Sequence, residues 1–287
     1  MQGLTIDRMR SAELVTADGR IVHTSEHEHP ELFWAVRGAG ANVGIVTRFE
    51  FDAGTTPMVA QASLAYELRD PVAFLTAWGC TVEAAPREVS AFLYVIAGTR
   101  PFAQATVVYA GDDTDAATPA LSPFTALPGV VGARAELVPY PMVPLSSGAP
   151  HSGQQAAVMH TALVHHLDDD LSARMTAALA SGGVQMIQIR SVGGAINDTP
   201  TDATAYAHRH QNFSVTAVAD HAGDAFDAAW EPLRERRDGI YLSFESNHHP
   251  DDIAAAFPPV TLDRLREIKR EWDPDDVFSQ NFDVSVS

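Results

Sequence analysis

The sequence predicts an α+β fold: a largely antiparallel sheet flanked by helices, and not a doubly wound parallel sheet. Three observations carry that expectation. Strand-like stretches such as SAFLYVI and ATVVYAG follow one another directly. Asp18-Gly19 sits between two short alternating runs in AELVTADGRIVHTS, a strong hairpin signal. Helical spacing appears between the strands, as in PVAFLTAWGCTVEAA and DAFDAAWEPLRERR.

The elements follow in order. After the first hairpin, SEHEHPELFWAV reads as a helix capped by Ser25, with acidic side chains in its first turn and Leu32, Phe33 and Val36 on its apolar side. A glycine segment leads into GIVTRFEF, a half-buried strand with Ile45, Thr47, Phe49 and Phe51 on one face and Arg48 and Glu50 on the other. DAGTTP, residues 52–57, is a turn-rich break and the expected domain boundary. QASLAYEL, SAFLYVI, ATVVYAG, VQMIQIRSV, NFSVTAVAD and GIYLSF then read as strands, and DTDAATPALSPFTAL and DDDLSARMTAALASG as further helices. A proline-rich loop, VPYPMVPLSSGAP, covers residues 138–150. In LDRLREIKREW, Leu265, Ile268 and Trp272 fall at helical spacing before a DPDD turn.

Composition narrows the function classes. The 287 residues are 46% apolar and 20% charged, enough for a sizeable core. The formal net charge is −18, and Lys269 is the one lysine among 19 basic residues. Such a surface repels phosphate backbones and anionic lipid, which argues against nucleic acid and membrane partners. No apolar run is long enough to cross a bilayer, and MQGLTIDRMRSAELV lacks the pattern of a secretory signal. Cys80 is the single cysteine, so a reducing, cytoplasmic setting is expected. Its helical context reads as that of a small buried apolar residue.

RGAGANVGIVTRFEF, residues 37–51, resembles a dinucleotide fingerprint only superficially. Its spacing is G-x-G-x-x-x-G, and a helix precedes the glycines where one should follow. Capture of a pyrophosphate by a helix N-terminus is therefore ruled out here. Two readings remain: a structural turn, or close approach of the backbone to a ligand. The twelve histidines show no recognised ligand spacing, so no metal is expected. No G-x-S-x-G elbow supports a serine hydrolase. Asp220, Asp224, Asp227 and the aspartates at 168–170 read as solvated faces and helix starts.

Larger blocks carry a resemblance. TADGRIVHTSEHEHPELFWAVRGAGANVGIVTRFEF is similar to the closing section of the PCMH-type FAD-binding domain in FAD-linked oxidases of the vanillyl-alcohol oxidase superfamily, in its berberine-bridge-enzyme-like branch. GLTIDRMRSAELVTADG resembles the segment before it, and SVGGAINDTPTDATAYAHRHQNF the family's substrate-domain stretch. GIYLSF and RLREIKREWDPDDVFSQNFDV resemble its C-terminal segment. The blocks run in family order from residue 3 to 284.

The resemblance implies three parts: residues 1–55 as the end of the FAD-binding domain, 56–240 as a substrate-binding domain, and 241–287 as a segment returning to the FAD domain. It implies FAD as cofactor, contacted by Gly44, Ile45 and Val46, with Tyr241 and Asn281 near the flavin. His208 and Arg209 either line the substrate cavity or brace the loop after TDATAY. The reaction implied is hydride transfer from a C–H beside oxygen or nitrogen, in a sugar or a secondary-metabolite alcohol or amine, with O2 reoxidising the flavin. The family's pyrophosphate loop and flavin-linking histidine have no match here, so the chain reads as N-terminally truncated, and by itself it is expected to be colourless and inactive and to bind FAD weakly or not at all. A non-catalytic small-molecule-binding module is the alternative. No catalytic residue is assigned. The plant branch's glutamate base aligns by spacing with Val215, its tyrosine with Phe244, the strand's asparagine with Ser243, and the last asparagine of the C-terminal motif with Asp283.

Overall fold

The computed structural model describes residues 3–146, 157–246, 249, 251–280 and 282–285. Numbered along the chain, the elements begin with β1 (Met9–Val15), β2 (Ile21–Ser25), α1 (Pro30–Ala39) and β3 (Ile45–Phe51). Next come β4 (Met58–Glu67), α2 (Pro71–Ala84), β5 (Val89–Ile96), β6 (Phe102–Tyr109), α3 (Thr114–Thr125), β7 (Val130–Pro139) and the short α4 (Val143–Ser146). They are followed by β8 (Val158–Val164), α5 (Asp169–Ala180), β9 (Met186–Ser191), β10 (Phe213–Ala219) and α6 (Asp224–Arg234). The chain closes with α7 (Asp252–Ala256) and α8 (Pro259–Trp272).

Two compact units divide these elements. One comprises residues 55–193 and 211–247, the other residues 2–54, 194–210 and 248–287. The excursion 194–210, inside the stretch expected as a substrate-binding domain, thus belongs to the same unit as residues 2–54 and 248–287.

The larger unit is a seven-stranded sheet in the order β7-β4-β6-β5-β9-β10-β8, antiparallel at every ladder. Its strands alternate as a one-sided sheet requires. Along β5, Ala91, Leu93 and Val95 enter the core shared with α2, α3, α5 and α6. Phe92 and Tyr94 point to the other face. Aromatic rings fill the helix side: Tyr66 lies 4.8 Å from Phe74, and Trp78 lies 5.3 Å from Phe124. Tyr66 satisfies its buried hydroxyl by donating to the Phe124 carbonyl at 2.9 Å. Side-chain caps start three of the helices: Asp70 for α2, Asp113 for α3 and Asp168 for α5.

The smaller unit holds a three-stranded sheet, β2-β1-β3, packed by α1, and α8 packs on α1. Leu14, Leu32, Phe33 and Leu265 are buried in it. Among the described residues no helix is long and apolar enough to cross a membrane.

Four local expectations are corrected. Ser25 does not cap α1: its Oγ accepts from the amides of His27 and Glu28, closing a turn at the end of β2. Pro30 starts the helix instead, after His29 in the left-handed region. Cys80 is exposed, because Phe74, Leu75, Trp78 and Gly79 form the inward side of α2 and the next position turns outward. β3 is an edge strand with no fully buried residue, and a register shift between Glu13 and Leu14 inserts Thr47 and breaks its alternation. GIYLSF is not a strand. The backbones of Gly239 and Ser246 bond to β8 at Leu163 and Met159, but Leu242–Phe244 bows out between them as a 3-10 turn.

Candidate functional site

In the smaller unit, the glycine segment joins α1 to β3. Gly38 has φ +145°, and a Cβ there would lie 2.3 Å from the Tyr206 amide nitrogen. That amide donates to the Arg37 carbonyl at 3.2 Å, so the glycine lets two backbones touch. A Cβ on Gly44 would come within 2.9 Å of the Val15 carbonyl on β1. Both glycines are therefore explained by chain-on-chain packing. Beyond them the surface opens: Ile45 is 57% and Phe49 50% exposed, and the Phe49 and Phe51 rings stack at 5.7 Å. Gly44 itself is buried and Val46 half-buried, and the inserted Thr47 puts the exposed Ile45, opposite Val15, on the other face of the sheet from Phe49, opposite Ala12.

Arg209 is fully buried. Its guanidinium grips Asp7 with both terminal nitrogens, at 2.9 and 2.7 Å, and also donates to the Tyr206 carbonyl and Thr204 Oγ1. Asp7 in turn accepts from the Leu4 amide at 2.8 Å. His208 places Nε2 3.0 Å from the Ala256 carbonyl, to which it donates, and its ring meets Tyr206 edge-on. These contacts tie residues 204–209 to the N-terminal turn and to α7.

A second ion cluster lies on α8. Lys269 Nζ donates to Asp273 at 2.8 Å, to Asp276 at 2.7 Å and to the Phe278 carbonyl at 3.1 Å. Burial raises the pKa of Asp273, but hydrogen bonds from Lys269 and the Phe278 and Val277 amides outweigh it and hold the carboxyl below its usual range. Asn42 Oδ1 accepts from the Val284 amide, fixing the final turn to the glycine segment. Asn281, expected near a flavin, lies outside the described residues.

The larger unit carries the other candidate residues. Tyr241, 38% exposed, precedes the 3-10 turn, and its ring lies 5.3 Å from Phe244. Phe244 covers the Arg190 guanidinium at 4.1 Å, and Phe92 lies 6.0 Å from it. Arg190 is on the sheet face opposite the helices, together with Gln188 and Tyr94. It donates to Gln188 Oε1 at 2.9 Å, and Gln188 Nε2 donates to the Tyr94 hydroxyl at 3.1 Å. Burial draws the Arg190 pKa down, and Nε is buried without an acceptor. Val215, aligned with the family's base, points into the apolar core on the helix side. Its neighbours Ser214 and Thr216 carry the face that Arg190 shares, as a period of two requires.

His160 is the titratable group that sequence reading passed over. On β8 it faces the helices, its ring stacked on Phe226 at 4.6 Å and Trp230 at 5.6 Å. Nδ1 lies 2.7 Å from Glu245 and Nε2 3.0 Å from Asp227. Burial disfavours the charged ring, but the two carboxylates outweigh it and raise the pKa. Arg190 was also missed, although the alternation in QMIQIRS, with isoleucines at 187 and 189, marks it as facing away from the core. Among the described residues, no three His, Cys, Asp or Glu side chains are grouped to hold a metal ion.

Comparison with known proteins places this architecture. Residues 260–284 match the family described as berberine and berberine like. The FAD-linked oxidoreductase tazG of Aspergillus terreus is 27% identical over 321 aligned positions, covering 100% of this chain and 64% of the relative. The structure of xylooligosaccharide oxidase from Myceliophthora thermophila C1 in complex with xylobiose superposes with a TM-score of 0.81 at 23% identity, covering 97% of this chain and 66% of that one. Physcomitrella patens BBE-like 1 (variant D396N) gives a TM-score of 0.83 at 20% identity, with 97% and 66% covered. The chain thus spans just under two thirds of the length of these proteins. The chain is similar over its whole length to FAD-linked oxidoreductases and has the fold of the berberine-bridge-like oxidases, and its residues 260–284 match the berberine and berberine like family.

Proposed function

We propose that this chain serves an FAD-dependent oxidoreductase that removes a hydride from a C–H bond beside oxygen or nitrogen in a small molecule, with O2 as the final acceptor. The observation that carries this reading is the end-to-end similarity to an FAD-linked oxidoreductase, 27% identical over the whole chain. Bound flavin would supply the hydride acceptor, and the protein supplies position and exclusion of competing reactions.

On this reading residues 44–46 approach the cofactor, with the exposed Ile45 side chain against it. The Asp7–Arg209 pair and the Lys269 cluster keep the cofactor-side loops in place, as positioning groups. His208 acts with them through its bond to Ala256. Residues 1–55 and 241–287 then serve the cofactor, and residues 56–240 largely the substrate. The structural neighbour solved with xylobiose supports a sugar among the substrates. Proton removal does not fall to Val215 or Phe244, since one side chain is in the core and the other is a hydrocarbon.

The test is to purify the complete reading frame that contains these residues, and to measure its visible flavin absorbance and substrate-dependent peroxide formation. A yellow protein that makes peroxide from a sugar, alcohol or amine supports the reading. A colourless protein that is stabilised by such small molecules without turnover overturns it in favour of a non-catalytic binding module.

A further inference from the structure

We propose that Arg190 and Ser214 form a recognition site for an organic carboxylate on the face of the seven-stranded sheet turned away from the helices. Calling that ligand the substrate rests on the oxidoreductase reading; the site itself does not.

The argument starts from an unmatched charge. Among the described residues the fully buried Arg and Lys side chains are supplied with carboxylates, Arg209 with Asp7 and Lys269 with Asp273 and Asp276, whereas Arg190 is half-buried. Arg190 has none within ion-pairing distance among the described residues. Its hydrogen bond goes to a neutral amide, Gln188 Oε1, and its Nε has no acceptor. A desolvated guanidinium without a counter-ion is costly, and an anionic ligand removes that cost.

A second orphan lies alongside it. In the antiparallel ladder Arg190 pairs with Ser214, and on its other side with Phe92. The Ser214 hydroxyl is buried with no partner. Two unsatisfied polar groups therefore occupy the same register on adjacent strands, a charged donor and a hydroxyl. A carboxylate with two acceptor oxygens satisfies both.

The surroundings fix the geometry. Phe244 over the guanidinium and Phe92 beside it favour its planar charge. The relay from Gln188 to the Tyr94 hydroxyl holds one terminal nitrogen, so the group is oriented before a ligand arrives. A phosphate would call for more than one cation or for a row of backbone amides. A neutral sugar would leave the charge unmatched. One guanidinium edge, one hydroxyl and two aromatic rings fit a small monocarboxylic acid. With a net charge of −18, the chain as a whole repels anions, so acid binding has to come from a local site such as this one.

The purified 287-residue chain is titrated calorimetrically, without FAD, with benzoate and D-glucuronate. Benzyl alcohol and D-glucose serve as neutral counterparts. The acids are expected to bind about tenfold or more tightly than their neutral counterparts. Arg190→Met should abolish that preference, and Arg190→Lys should keep part of it. Ser214→Ala, a smaller change to the sheet, should weaken acid binding severalfold while the circular dichroism spectrum stays unchanged. Equal binding of acid and neutral probes, no acid binding at all, or acid preference unaffected by both Arg190→Met and Ser214→Ala overturns the proposal. So does tighter binding of inorganic phosphate than of either acid. Because FAD is absent throughout, failure of the cofactor reading leaves this result unaltered, and the reverse also holds.

Discussion

Arg209 and Lys269 show how single side chains hold the smaller unit together. Each is a buried cation whose removal leaves a carboxylate without its partner. Arg209→Met and Lys269→Met should each cost about 3–5 kcal/mol in denaturant unfolding. The milder Asp7→Asn should cost less, because its amide oxygen still accepts. His160 predicts a pH dependence in the larger unit. Its folded pKa lies above the ordinary 6.5 because Glu245 and Asp227 favour the charged ring against burial. A raised pKa contributes stability that is complete below the unfolded value and is lost as pH rises through the folded one. The melting temperature of the wild type should therefore exceed that of His160→Gln most at acid pH, with the gap closing as pH rises past 6.5. A gap that widens toward alkaline pH would contradict this assignment.

Among the elements, the turn between α1 and β3 is the most constrained. Gly38→Ala adds a methyl where only 2.3 Å separates it from the Tyr206 amide, at a φ that side chains rarely adopt. A loss of roughly 3 kcal/mol is expected, read from the urea midpoint. β3 is the opposite case, an edge strand with exposed aromatic residues. Phe49→Thr should reduce self-association in sedimentation measurements while leaving the fold unchanged. In the larger unit β4, β5, β6, β9 and β10 and helices α2, α3, α5 and α6 were legible because burial follows the period of each element, as in VSAFLYVI. The edge strands β7 and β8 were not read as strands, and α4 falls in what reads as a proline-rich loop. What misled was local: the proline at 30 displaces the helix start from Ser25, and an inserted Thr47 breaks the alternation of β3. GIYLSF has strand composition, but it bonds to β8 only near its ends.

Over the whole molecule, the antiparallel α+β class could be read from adjacent strands and the resemblance to FAD-linked oxidoreductases from four blocks in order. The candidate site was less legible. The glycines resemble a cofactor loop, yet Gly38 and Gly44 serve packing between backbones, a contact between residues far apart in sequence. The single alternation that puts Val215 in the core and Ser214 on the opposite face follows from register, which motif spacing does not specify. The Arg190 site likewise exists only because β9, β5 and β10 are neighbours. The central claim, that these residues serve a flavin, is tested most directly by titrating the 287-residue chain with FAD and recording the visible difference spectrum. Weak but saturable perturbation of the flavin bands, reduced by Ile45→Asp, is the predicted result. Saturable perturbation that Ile45→Asp leaves unchanged, in a variant shown to be folded, would contradict it.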